Sequence, residues 1–412
     1  MNLNLSINNI PNLSEIERKH RQQSLDNFLV SGFPNKKLED WKFTDFNQII
    51  SAQFSELSNK IEENKEIEKK ISLIKYFKHN YIILVNGKIN KINLDFEEKD
   101  KILIKNYENE YKEKFEIKNS LNVLNEALFT NGYYLEVAEN YKVKKPLIIY
   151  SYIASNSKNN IFNTRNFVKL NKNSNLELIE FTNINVEDSF VKNENEVTYL
   201  EQNSVLKKYV LQSKQNKAYI YKNLKNFLQK DANCQNFILN ICSIFSKIEI
   251  ESFLLGQNSN FEIYSACNLK QDQHQELRSF IHHEAFNCRS YQKVKKVLNN
   301  ESKGIYQGKI LVSDSAQKTD AYQLSKAIIL DPQAEFDAKP ELEIYADDVK
   351  CSHGSSSGNI DENSIHYLMT RGISEKEAKK IIISGFLNEV FEPITNVEIK
   401  NFLEMNLNDQ NR

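Results

Sequence analysis

A near-constant beat of small polar residues constrains this chain more than any other feature of its sequence. The beats fall at Asn173-Ser174, Asn203-Ser204, Asp231-Ala232, Asn258-Ser259, Asn287-Cys288 and Asp314-Ser315, in steps of 30, 28, 27, 29 and 27 residues. Between them lie short runs rich in aliphatic and aromatic residues, among them Leu176–Phe181, Leu206–Leu211, Tyr219–Tyr221, Phe237–Leu239, Phe261–Tyr264 and Ile310–Val312. Each run is bounded by turn-forming residues, which is the chemistry of strands. A sandwich would turn about every 8–12 residues with no longer period. A longer period predicts stacked repeats: one step makes one coil of a β-solenoid, turn upon turn, with Ile, Leu, Phe and Val filling the lumen. An Asn- and Ser-rich chain also makes such clusters by chance, and the two readings part on whether the turns stack.

The flanks read differently. Residues 1–131 form a mostly helical N-terminal domain, 132–358 the β-helix core and 359–412 a C-terminal helical domain. Ser14 and Glu17 make a capping box for a helix carrying Ile16, Leu25, Phe28 and Leu29 that stops at Gly32. A second helix is expected around 45–70, with Ile49, Ile50, Phe54, Leu57 and Ile61 on one face, and a short third one at Asn119–Phe129. Tyr81–Phe96 reads as extended, turning at Gly87. Trp41, the single tryptophan, is expected to anchor the N-terminal arm on the rest. Near the other terminus, Asp361 caps one helix and Ser374 with Glu377 boxes another. The second presents Ala378, Ile381, Ile382, Phe386, Leu387 and Val390, an apolar face that core or a partner must cover.

Charge excludes some partners: 54 Lys+Arg against 55 Asp+Glu give a net charge of -1, with no global basic field for nucleic acid or anionic lipid. No apolar run reaches the roughly 18 residues of a membrane span, and the start MNLNLSINNI lacks signal-peptide character, so a cytoplasmic protein is expected. Cys234, Cys242, Cys267, Cys288 and Cys351 contain no CxxC pair and read as reduced, mostly buried thiols. No phosphate-binding loop, GxSxG elbow, HExxH pair or GxGxxG turn is present, so this chain is expected to bind no nucleotide and to be no enzyme of those classes. Two clusters could carry chemistry. His274, His282, His283 and Cys288 crowd one stretch. Cys351 and His353 stand two apart, which on a strand puts thiol and imidazole on one face, where they could offer ligands to a transition metal.

Three segments carry a family resemblance: Ala316-Gln317-Lys318-Thr319-Asp320-Ala321-Tyr322-Gln323, Lys339 through Gly354, and Tyr367-Leu368-x-x-Arg371-Gly372-Ile373. With Leu38-Glu39-Asp40-Trp41-Lys42-Phe43-Thr44, they resemble the SufB/SufD family of iron–sulfur cluster assembly proteins, on its SufD side. The resemblance implies a mainly β fold, a right-handed parallel β-helix (β-solenoid) flanked by helical domains, acting as a non-catalytic scaffold subunit. It implies a heterodimer with a SufB-like subunit through the β-helix and docking of a SufC-like ATPase on the C-terminal helices, for which Ile381, Ile382, Phe386 and Leu387 are the expected contacts. His353 and its neighbour Cys351 are then the cluster-site residues at the SufB interface, where a transient iron–sulfur cluster is shared. One imidazole with one thiol is too few ligands for a cluster, so the partner must supply others. A homodimer in isolation and FADH2 as electron source on the assembled complex stay open. So do two other classes: a structural adaptor whose Cys351 and His353 are only packed, and a β-helix enzyme acting on polysaccharide. Cutting the chain after Gly358 is expected to leave the β-helix folded and to abolish binding of the SufC-like ATPase.

Overall fold

The computed structural model describes residues 1–60, 73–108, 119–153, 158–183, 188–212, 216–239 and 243–409. The chain opens with β1 (Asn2–Asn4), α1 (Glu15–Ser31), α2 (Phe46–Gln53) and β2 (Glu56–Ser58), β2 pairing in parallel with β1. Then come β3 (Asn80–Val85), β4 (Lys88–Asn93), β5 (Ile102–Asn106), α3 (Ser120–Leu128) and β6 (Tyr133–Val137). The long β run follows: β7 (Leu147–Tyr152), β8 (Ile161–Leu170), β9 (Asn175–Asn183), β10 (Phe190–Leu200), β11 (Val205–Gln212), β12 (Asn216–Leu228), β13 (Asn233–Leu239) and β14 (Ser243–Leu254). It continues through β15 (Asn260–Leu269), β16 (His274–His283), β17 (Arg289–Leu298), β18 (Lys303–Val312), β19 (Asp320–Ile329), β20 (Glu335–Ile344) and β21 (Lys350–Gly358). Helices α4 (Glu362–Thr370), α5 (Glu375–Asn388) and α6 (Val397–Asp409) close the chain.

The strands alternate between two sheets, in the orders β5-β6-β8-β10-β12-β14-β16-β18-β20 and β4-β3-β7-β9-β11-β13-β15-β17-β19-β21. Every neighbouring pair is parallel except β3 with β4 and β5 with β6, so each coil gives one strand to each sheet and the protein is a β-solenoid. The turns do stack. Asn140, Asn173, Asn203, Asp231, Asn258 and Asn287 all adopt left-handed φ between 56° and 60°. Asn and Asp tolerate that conformation because their short side chains hydrogen-bond locally. Asn173 donates to Asn140 at 2.7 Å, Asn203 to Asn173 at 3.1 Å, Asn258 to Asp231 at 2.8 Å and Asn287 to Asn258 at 2.8 Å, a ladder climbing the corner. Its next left-handed residue is Lys318 (φ 60°), not the expected Asp314, because the coil after Asn287 is longer.

Alternation along each strand fills the lumen with Leu176, Leu178, Leu206, Ile248, Phe261, Ile263 and their like, and leaves the other faces to be covered from outside. Trp41, Phe46, Ile50 and Phe54 cover one sheet at Tyr219, Tyr221 and Phe245. Leu387, Val390, Phe391, Phe402 and Leu403 cover the other, over Tyr209, Phe237 and Tyr264, whose rings stack at 5.0 Å. Fully burying each such side chain is worth about 1.5–3 kcal/mol.

Two local expectations are corrected. Ile16 is 84% exposed, since α1 turns Arg21, Ser24, Leu25 and Phe28 inward, where Arg21 Nη1 donates to the carbonyl of Phe129 at 2.7 Å. The helix expected over 45–70 ends at Gln53, because β1 offers the next residues a strand partner; its remainder, 61–70, lies outside the described residues. The sheets also begin before Gly132, recruiting β3, β4 and β5. The capping boxes of α1 and α5, the Asn119 cap of α3 and the hairpin at Asn86-Gly87 match the sequence.

Candidate functional site

The last coil, β20 with β21, differs from those before it: most of its residues are half-buried or exposed, and nothing among the described residues stacks on it. In β21, Cys351 pairs with Ala321 and His353 with Gln323. Both therefore face the lumen side, as their spacing predicts. Cys351 packs against the luminal core, and burial, then the Asp320 charge, raises its thiol above the ordinary range. His353 is exposed at the mouth.

The free edges have a readable polarity. Lys350 N–H donates to Thr319 O at 2.8 Å and Glu335 N–H to Ser302 O at 3.0 Å. In a parallel ladder, alternate residues point to the same neighbour, so the backbone of Cys351, His353, Ser355 and Ser357 turns outward, as does that of Phe336, Ala338, Pro340, Leu342 and Ile344 on β20. Pro340, which has no N–H, thus sits where no ladder bond is lost. Thiol, imidazole and unpaired backbone groups share one open end, able to ligate a soft metal and to take up another strand.

The second sequence cluster is not brought together, since successive strand residues face opposite sides. His274 lies outside, 3.0 Å from Thr44 Oγ1, and His282 is sandwiched outside between Phe253 and Phe280 with Glu251 at 3.1 Å. His283 points inward to Ser290 Oγ at 2.8 Å, while Cys288 lies in the turn stack 3.3 Å from Ser259 Oγ. Cys234 and Cys267 are buried, and Cys242 lies outside the described residues. Of the expected docking residues, Leu387 is fully buried and Phe386 packs on the solenoid beneath Lys295 Nζ at 4.4 Å; Ile382 is half-buried, and Ile381 is 49% exposed. Exposed Tyr367 and Met369 on α4 add apolar surface beyond the expected docking residues.

Two further features stand out: a cluster that escaped the sequence, and a strap centred on Trp41, which anchors the N-terminal arm as expected. Glu180, Glu194 and Glu196 cluster in the lumen at the other end, paired with Lys208, Lys222 and Lys192. Burial opposes ionisation there, yet Lys192 and Lys222 outweigh it and hold Glu194 down at about 2, while burial and the neighbouring Glu180 push Glu196 up to about 7. The lysines balance the carboxylates, which makes this a buried ion network rather than a metal site. The second feature is a strap. Asp40 pairs with Arg278 at 2.5 Å, its carbonyl accepts from Lys247 at 2.5 Å, Lys247 Nζ stands 4.1 Å over the Trp41 ring, and Glu39 reaches Lys339 on β20 at 2.5 Å. No sequence signal links residues 207 or 300 positions apart.

Fold and site define a helix-flanked β-solenoid whose thiol and imidazole lie at an open end. The family described as SUF system FeS cluster assembly, SufBD core domain, matches residues 152–386, more than half of the chain, and the chain belongs to that family. It is 26% identical to the iron–sulfur cluster assembly protein SufD of Escherichia coli (strain K12) over 385 residues, 92% of this chain and 89% of the relative. A SufBD family protein of Pyrococcus horikoshii is 28% identical over 284 residues, covering 68% of this chain and 63% of that protein. A chloroplast protein of Arabidopsis thaliana is 38% identical over 104 residues, 25% of this chain and 22% of the relative. This is a SufD-like protein of SUF-system iron–sulfur cluster assembly, from a family of assembly scaffolds. No helix among the described residues is long and apolar enough to cross a membrane.

Proposed function

We propose that this chain is a non-catalytic scaffold subunit that pairs its last coil with a SufB-like subunit in the cytoplasm, so that Cys351 and His353 complete a site where an iron–sulfur cluster forms as cargo. The observation that carries this reading is the open end itself: two edge strands with outward backbone groups, beside an exposed imidazole and a half-buried thiol. Exposed strand edges are templates for pairing, and soluble proteins ordinarily blunt them. The SufC-like ATPase docks on α4 and α5, where Tyr367, Met369 and Ile381 leave apolar surface exposed. The test is the complex co-purified with SufB-like and SufC-like subunits, with iron and sulfide measured per intact complex. His353→Ala should leave assembly intact and lower both steeply; an unchanged ratio removes His353 from the mechanism. Cys351→Ser should be milder if the thiol supports the site and equally severe if it is a ligand.

A further inference from the structure

The lumen beside the open end is polar where most of the solenoid is filled with aliphatic side chains. Ser279 on β16, Gln292 on β17, Tyr306 on β18 and Gln323 on β19 face inward and are buried. Ser279 Oγ donates to Gln292 Oε1 at 2.5 Å. The Tyr306 hydroxyl, with one hydrogen to give, lies 3.1 Å from that same oxygen and 3.3 Å from Gln323 Oε1. Gln323 Nε2 in turn donates to the Glu341 carbonyl of β20 at 3.3 Å. These polar contacts form a file that leads to the last coil. Its final member, Gln323, is the register partner of His353.

Packing alone does not account for the file. Buried amides and hydroxyls lose water, and the loss is recovered only where partners are found; Gln292 Nε2 finds none. Gly308 of β18 is the element that makes the arrangement fit. A Cβ there would stand 2.2 Å from Gln323 Oε1 and 2.4 Å from the Tyr306 hydroxyl. What the glycine supplies is space, since its backbone is ordinary strand. Residues 306 and 308 face inward from one strand with 323 opposite, so the gap and the two polar groups belong together.

We propose that Tyr306 and Gln323, seated by the missing Cβ of Gly308, are positioning residues for His353. An exposed imidazole on an edge strand has several rotamers open to it. The side chain beneath it, facing the Tyr306 hydroxyl on one side and donating to β20 on the other, restricts them and sets where the ring stands when partner and cargo arrive. The inference rests on the role proposed above for His353.

The test uses the full chain labelled with carbon-13 at histidine Cε1, the His353 signal being assigned by its loss in His353→Ala. Tyr306→Phe keeps the ring volume and removes only the hydroxyl. It should shift and broaden the His353 signal while that of His79, buried beside the Tyr150 hydroxyl, stays, leave Tm within a few degrees, and lower iron and sulfide per intact complex at least threefold. Gly308→Ala should do more of each; if it does not fold, Tyr306→Phe decides alone. An unmoved His353 signal in Tyr306→Phe overturns the proposal whatever the cluster yield. If instead the signal moves while His353→Ala leaves iron and sulfide per complex unchanged, the positioning stands and the cluster role of His353 falls.

Discussion

At the first end of the solenoid, β4 and β5 lie antiparallel against β3 and β6 and finish both sheets, and α3 tucks Glu126 onto buried Arg165 of β8. At the last end, β20 and β21 finish the same two sheets with bare parallel edges and a half-exposed lumen. One chain thus treats the same liability in two ways. Where the edge is blunted by Lys88 and Lys91 of antiparallel β4, charge is also buried and paired behind it, and the end contributes stability. Where it is bare, polar groups stay accessible, and the end is suited to pairing and ligation. On the function proposed above, stability and function are divided along the solenoid axis, and substitutions can test the division.

The largest effect belongs to neither end but to the wall between them. Removing residues 359–412 would uncover Tyr209, Phe237 and Tyr264, which α5, α6 and the segment joining them bury. The truncated chain should be insoluble or lose its cooperative urea transition, contrary to the expectation from resemblance that it stays folded. A soluble truncated chain with the parent's urea midpoint would make the helices an appendage. Next comes the blunted end: Glu126→Ala leaves Arg165, 1% exposed, without its carboxylate, and urea unfolding should show a loss of about 3–5 kcal/mol. The contrast with the open end would collapse if the loss matched that of a surface substitution.

Acid should act on the middle coils. Burial first, with Lys303 and Lys247 adding to it, holds His274 at about 3, and burial with the adjacent His282 holds His283 at about 3. Unfolded, both titrate near 6.5, so between 6.5 and 3 the unfolded chain binds more protons. The stability these groups contribute is present above pH 6.5 and is lost as pH falls toward 3. At pH 5 the loss is about 2 kcal/mol per histidine, read as a falling urea midpoint that flattens in His283→Gln.

The smallest effects should come from the open end. Ser357→Pro strips one outward N–H from β21 without touching its ladder to β19, and should weaken pairing with the SufB-like subunit about tenfold in sedimentation or titration while Tm barely moves. A large drop in Tm would mean that the edge is structural after all. His353→Ala should cost the isolated chain less than about 0.5 kcal/mol, the ordinary range for an exposed side chain.

Several parts of the molecule were legible in the residues because their causes are local. Ser14 with Glu17, and Ser374 with Glu377, satisfy helix N-termini by themselves. The Asn residues of the ladder mark left-handed turns, and a two-residue spacing puts Cys351 beside His353 on any strand. The misreadings share a cause as well. Leu57 looks helical until β1 offers its segment a strand partner, and Leu387 looks like a docking residue until sheet and helix meet. Crowded in sequence, His282 and His283 part because the pleat sends them to opposite faces.

By itself, the sequence determined that the chain would coil at a period near 28 residues and where α1 to α5 start, because these follow from residue type and spacing along the chain, and its resemblance to known members showed to which family it belongs. Only the tertiary structure decided which apolar faces are spent on covering the sheets, which charges are buried as neutral networks, and that the last coil is left bare with Gln323 beneath His353. Those outcomes depend on residues that meet across dozens to hundreds of positions, and burial and register exist only once the coils have stacked.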